Sequence, residues 1–137
     1  MTTHHTELAV GTGAAEETRD ITAEVSEAVR SSAVRDGICL IAVAHTTAGL
    51  FVNENADPDV QRDLLGALRR IVPDRADYRH AEGNSPAHIK AVLTGNEVAL
   101  PVRSGALVLG RWQGIFFAEF DGPRTRTVSV TVVGDPA

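Results

Sequence analysis

Three histidines of this chain fall where reactive groups are commonly built: His45 follows an apolar run, His80 sits in a polar stretch, and His88 comes just after Ser85-Pro86. A neutral imidazole can ligate a metal or donate to an anion. Three of them suit zinc or a similar ion and leave one position open for water or substrate. At a helix start the dipole disfavours added positive charge, so His88 is expected to stay neutral, with Lys90 on the same short helix. Packing beside Ile89 and Leu93 would also account for His88 taken alone. Asn53, Glu54, Asn55 and Asp57 could supply oxygen ligands for magnesium, which favours carboxylates together with substrate phosphates. Capping alone is enough to explain Asp57, which precedes Pro58. The single cysteine, Cys39, excludes an internal disulfide and a Cys-rich zinc cage, so any metal would be held by His and carboxylate. There is no Gly-rich phosphate loop, nucleophile elbow or H-E-x-x-H pair.

These residues need elements to hold them. Ile21, Val25, Ala28 and Val29 recur at helical spacing and predict a helix over 22–34, with Gly37 following its end. ICLIAVA (38–44) reads as a strand covered on both faces that delivers His45 to its end, and LFVNE as a short second strand. Asp57-Pro58 opens a helix whose buried stripe is Val60, Leu64, Ala67, Leu68 and Ile71, stopped at Pro73. A polar stretch, 74–84, carries Tyr78, Arg79 and His80. Ser85-Pro86 repeats the cap-plus-proline signal and opens a short helix that Gly95 ends. From Glu97 onward four strands, EVALPV, ALVLG, RWQGIFFAEF and RTVSVTVV, are expected to form one sheet, with Val128, Val130 and Val132 on one face. Along RWQGIFFAEF the period of two sets Arg111, Gln113, Ile115, Phe117 and Glu119 against Trp112, Gly114, Phe116, Ala118 and Phe120. Trp112 is expected in the core, while Gln113 and Glu119 require polar partners or a ligand if their face is covered. Only the region around GTGAAEE looks like a loose loop. The pattern predicts an α+β fold, a β-sandwich-like sheet core with two or three short helices. A doubly wound sheet is excluded because strands and helices do not alternate.

A chain of 137 residues with 43% apolar and 23% charged side chains is long and apolar enough for one globular domain over 1–137, and not disordered. The net charge of −5 argues against nucleic acid as a partner, although residues 78–137 carry six basic against five acidic side chains and lean towards anions. The longest purely apolar run is far short of the ~20 residues of a membrane-spanning helix, and the first ten residues lack a signal-peptide pattern. A soluble, cytoplasmic protein without membrane contact is expected.

Three blocks, HTTAGLFVNENADPDVQRD, YRHAEGNSPAHIKAVLTG and ALPVRSGALVLGRWQGIFFAEFDGPR, occur in an order and spacing that resembles the YjbQ-like family, also described as secondary thiamine-phosphate synthases. The match runs from about Asp20 to Gly134; the first twenty residues depart furthest from the family pattern. The resemblance implies a compact sandwich-like α+β fold, a homotrimer and polar motifs near a subunit interface. It also implies weak synthase activity, joining hydroxymethylpyrimidine diphosphate to thiazole phosphate with release of pyrophosphate. Carried over by position, it marks His45, Glu54, His80, His88, Gln113 and Glu119 as catalytic candidates. Asn53, Asn55, Asp57, Lys90, Trp112 and Arg124 are the substrate-binding candidates, Lys90 and Arg124 matching less strictly. His45, His80 and His88 are candidate ligands of a divalent metal, zinc or magnesium. The other readings are a metal-dependent hydrolase with a His-rich site and a non-catalytic trimeric module that binds a phosphorylated metabolite.

Overall fold

The computed structural model describes residues 1–136. Two antiparallel sheets pack face to face. The larger has the order β1-β8-β3-β5-β6, built from β1 (Thr2–Gly11), β8 (Thr125–Pro136), β3 (Val34–Val43), β5 (Glu97–Arg103) and β6 (Ala106–Leu107). The smaller is β2-β7-β4, with β2 at Glu17–Asp20, β7 at Gln113–Glu119 and β4 at Ala48–Glu54. The fold is therefore α+β with a sheet-on-sheet core, as the alternating strand pattern implies.

Alternation places the core between the sheets. Val128, Val130 and Val132 of β8 and Cys39, Ile41 and Val43 of β3 meet Leu50 of β4 and Ile115 and Phe117 of β7. Helix α1 (Thr22–Ser31) adds Val25, Ala28 and Val29 to the same cluster. Burial raises the Cys39 thiol to about 11, so it stays a protonated core side chain at neutral pH. The other face of the small sheet is covered by α2 (Pro58–Ile71) and α3 (Ser85–Thr94), through Ala87 and Ala91 against Ala118 and Phe120, with Phe51, Leu65 and Leu68 alongside. RWQGIFFAEF is bulky on both alternations because its own chain covers both faces.

Six expectations need correction. Strand β3 is covered on one face only, its outer face showing Ile38, 58% exposed, and Leu40. Ile71 is exposed at the end of α2 and not in a buried stripe. The closing strands do not form one sheet: β7 leaves β5, β6 and β8 to pair with β2 and β4. Partner choice is a long-range matter that strand propensity does not encode. Helix α1 ends at Ser31, and Ala33, at φ 58°, makes the turn. Gly37 instead lies within β3, packed so closely on Gly134 that a Cβ would strike the Val133 carbonyl. The cap of α3 is Asn84, one residue earlier than Ser85; its side chain makes no capping bond and donates to Asp121 Oδ2 at 3.0 Å. Trp112 is 55% exposed, with the Arg111 guanidinium 4.9 Å from its ring centre, an exposed cation–π pair.

Candidate functional site

At one end of the small sheet, where Ala48 of β4 pairs with Glu119 of β7, a buried ion pair joins the two sheets. Glu119 is fully buried on the core-facing phase of β7, and Arg126 takes the matching phase at the start of β8. Arg126 donates from Nε at 3.0 Å and from Nη2 to the Glu119 carboxylate, and from Nη2 to Thr47 Oγ1 at 2.9 Å. Thr12 Oγ1 donates to Glu119 Oε1 at 2.7 Å and the Asp121 amide to Oε2 at 3.1 Å. Burial alone would raise the Glu119 carboxyl; Arg126, Thr12 and the Asp121 amide outweigh it and hold the group below its usual range. Removing one partner of such a pair would strand a buried charge. Glu119 thus has the polar partners its covered face demands.

His45 stands beside this pair. Its Nε2 accepts from the Thr127 amide at 3.0 Å. Partial burial, then the Arg126 charge, lowers its pKa below the ordinary imidazole value; Arg124 adds to this and Glu119 opposes it. The neutral ring is the form present at neutral pH.

His45 and His80 each share a cleft with His88 but not with each other. His45, Thr46 and Ala48 line an open cleft of about 520 Å³ together with His88, Ala91, Val92, Gly95 and Asn96. On its other side His88 also borders a cleft of about 400 Å³ formed with Asp77, Tyr78, Arg79, His80, Ser85 and Ile89. The His80 and His88 rings stand edge to face with centres 5.3 Å apart. His88 is therefore the common wall of two clefts, both mainly apolar in surface: the first is lined by Ala48, Ala91 and Val92 beside His45, and the second carries Tyr78, Arg79, His80 and Ser85 at the start of α3. In the first turn of α3 Pro86 has no N–H and the Ala87 and His88 amides donate to the Asn84 carbonyl, so the Ser85 amide and the helix dipole are what favour an anion there. Among the described residues, no three His, Cys, Asp or Glu side chains are grouped to hold a metal ion.

The remaining candidates lie elsewhere. Glu54 pairs with Gln113 at the far end of β4 and β7 from the Ala48–Glu119 pair. Six residue steps of about 3.3 Å put the two ends roughly 20 Å apart. At that far end Gln113 Oε1 accepts from the Gly110 amide at 2.7 Å and Asn53 Oδ1 from the Glu54 amide at 2.8 Å. Asn55 Nδ2 donates to Asp20 Oδ2 at 3.2 Å, and Asp57 Oδ1 caps α2 through the Asp59 amide at 2.9 Å. The polar run 53–57 and Gln113 thus join turns and caps, and within one chain they do not share the histidine clefts. Lys90 is buried under α3, its Nζ 2.7 Å from Glu16, which also pairs with Arg69. Arg124 is held by Asp121 at 3.1 Å. Both are engaged within the chain.

Arg126, Thr47, Thr12 and Glu16 were not singled out by their types. A signal for Arg126 was present: it shares the phase of Val128, Val130 and Val132, so alternation points a charge into the core, as it does for Glu119 on β7.

Fold and clefts together define a class of small α+β sandwich proteins with an open, histidine-lined site beside a helix-covered sheet. The family model for UPF0047 protein YjbQ-like matches residues 6–135, and the chain belongs to that family. It is 48% identical over 126 residues to a UPF0047 protein of Methanocaldococcus jannaschii, covering 92% of this chain and 91% of that one. It is 44% identical to YugU of Bacillus subtilis, covering 93% and 97% of the two chains. Among solved structures, it is similar to a YjbQ/UPF0047 family protein of Clostridium acetobutylicum, with TM-score 0.92, 48% identity and coverage of 93% and 99%. A YbjQ-like protein of unknown function from Sulfolobus solfataricus superposes with TM-score 0.95 at 36% identity, covering 98% and 99%. No described helix is long and apolar enough to cross a membrane.

Proposed function

We propose that the two clefts divided by His88 bind a phosphorylated small molecule, and that the protein acts as a transferase of the thiamine-phosphate synthase type. In this reading it joins hydroxymethylpyrimidine diphosphate to thiazole phosphate and expels pyrophosphate. The observation that carries the reading is the shared wall: His88 separates a largely apolar cleft from one with Arg79, His80 and Ser85 at the start of α3. Such a reaction needs a compartment for an organic ring and an adjacent one for an anionic leaving group.

Departure of pyrophosphate from a benzylic-type carbon builds positive charge on the ring and negative charge on the leaving oxygens. Arg79, His80 and the Ser85 amide would stabilise the second, and no strong base is demanded. Magnesium suits this cleft better than zinc, because it binds largely through substrate phosphates and water and needs few protein ligands.

The test is pyrophosphate release measured with each substrate alone and with both together. Release that requires both is expected. Turnover of a single phosphoester would instead indicate a hydrolase, and tight binding without turnover a binding module; either result contradicts the transferase reading.

A further inference from the structure

Strand β3 stops pairing with β8 at the Val43–Val128 pair. The Thr127 amide, the next along β8 past that pair, is not left open, because the His45 ring takes over as acceptor at Nε2. An amide N–H only donates. Nε2 therefore carries no proton, and in the neutral ring the proton resides on Nδ1.

The residues that hold this arrangement flank it in sequence. Arg126 precedes Thr127, and its Nη2 donates to the side chain and carbonyl of Thr47, two residues after His45, at 2.9 and 3.3 Å. Glu119 in turn clamps the guanidinium through both carboxylate oxygens. The buried pair thus ties the turn that carries His45 to the stretch of β8 that supplies its hydrogen-bond partner.

We infer that Glu119 and Arg126 are positioning residues that fix His45 as an Nδ1–H donor, presented to an oxyanion of a phosphorylated ligand in the cleft that His45 lines. The class of the ligand rests on the reading given above; the positioning rests on the hydrogen bonds alone. Held this way, His45 has no free lone pair in its neutral form, so it serves as neither a metal ligand nor a general base.

Long-range 1H–15N correlation spectra of the intact protein at mildly alkaline pH would show which ring nitrogen of His45 is protonated. Protonated Nδ1 is expected; protonated Nε2 would overturn the inference without any variant. In Glu119→Gln and Arg126→Lys the ring is expected to become a mixture of tautomers, and affinity for inorganic phosphate, the probe for the oxyanion of the phosphorylated substrate in the His45 cleft, to fall about tenfold. A folded variant that keeps the pure Nδ1–H tautomer would overturn the positioning role. Thr12→Val, which removes only a hydroxyl donor to Glu119, gives the same readout if the charge variants do not fold. Wild-type protein with the expected tautomer but no affinity for inorganic phosphate would overturn the phosphorylated-ligand reading and leave the positioning role standing.

Discussion

Asp57 and Glu119 are both carboxylates that their surroundings account for, and they differ in what their loss should do. Asp57 accepts the Asp59 amide at the start of α2. Asp57→Asn should cost little, since both residues cap well, whereas Asp57→Ala should lower unfolding free energy by about 0.5 to 2 kcal/mol in denaturant titrations. Glu119 and His45 govern the response to acid. His45 is lowered in the folded state from an ordinary value of 6.5, so above that pH its contribution is fully present. Below it the unfolded chain takes up a proton that the folded chain refuses, and stability falls. Glu119 is lowered from 4.5, so its contribution holds above that pH and is lost as pH drops through the depressed folded value. Thermal melts at decreasing pH should therefore show a first decline starting below about 6.5 and a second, steeper one below about 4.5. His45→Asn should remove only the first. A melting temperature independent of pH across both ranges would contradict these assignments.

At the scale of elements, what could be read in the chain was what local pattern encodes. Val128, Val130 and Val132 announce a one-sided strand, and Asp57-Pro58 a helix start, because period and capping are properties of a few neighbouring residues. Strand β1 is harder to read: TTHHTELAV alternates, but only Leu8 and Val10 bring sizeable apolar side chains to its inner face, so its ten residues of pairing with β8 depend on a partner more than a hundred residues away. The departure of β7 to the smaller sheet is equally non-local. Of the site, the histidines could be picked out by type, but that His45 and His80 line separate clefts on either side of His88 could not. Arg126 was legible only as a charge on the core-facing phase of its strand; that it pairs with Glu119 appears only once β7 and β8 are seen to face each other. The run Asn53 to Asp57 looked like part of the same centre but lies beyond the length of β4 from it. Close packing at that far end gives its own test. A Cβ on Gly114 would lie 2.7 Å from Asn55 Nδ2 and 2.8 Å from Asn55 Cβ, so Gly114→Ala must displace Asn55 from its bond to Asp20. A loss of about 1 to 3 kcal/mol is expected in equilibrium unfolding. An unchanged midpoint would mean that Asn55 is not fixed there.

At the scale of the molecule, the layers run from the five-stranded sheet through the core and the three-stranded sheet to α2 and α3, leaving two apolar surfaces uncovered. The outer face of β3 shows Ile38, 58% exposed, and Leu40; the outer side of α3 shows Val92, 80% exposed, and Leu93 beside the His45 cleft. The bulk of β7 gives no reason for a neighbouring subunit, since α2 and α3 cover it. These bare surfaces do, and we propose that the chain forms a homotrimer. Light scattering should give three times the 14.5 kDa chain mass at micromolar concentration; a monomer would contradict the trimer. The division of the site by His88 is tested most directly by a crystal structure of the protein grown with pyrophosphate and magnesium. Pyrophosphate is expected against Arg79, His80, Ser85 and His88 at the start of α3, with the cleft beside His45 left open for the second substrate, a ring that carries its own phosphate. Pyrophosphate bound away from these residues, or none bound at saturating concentration, would contradict it.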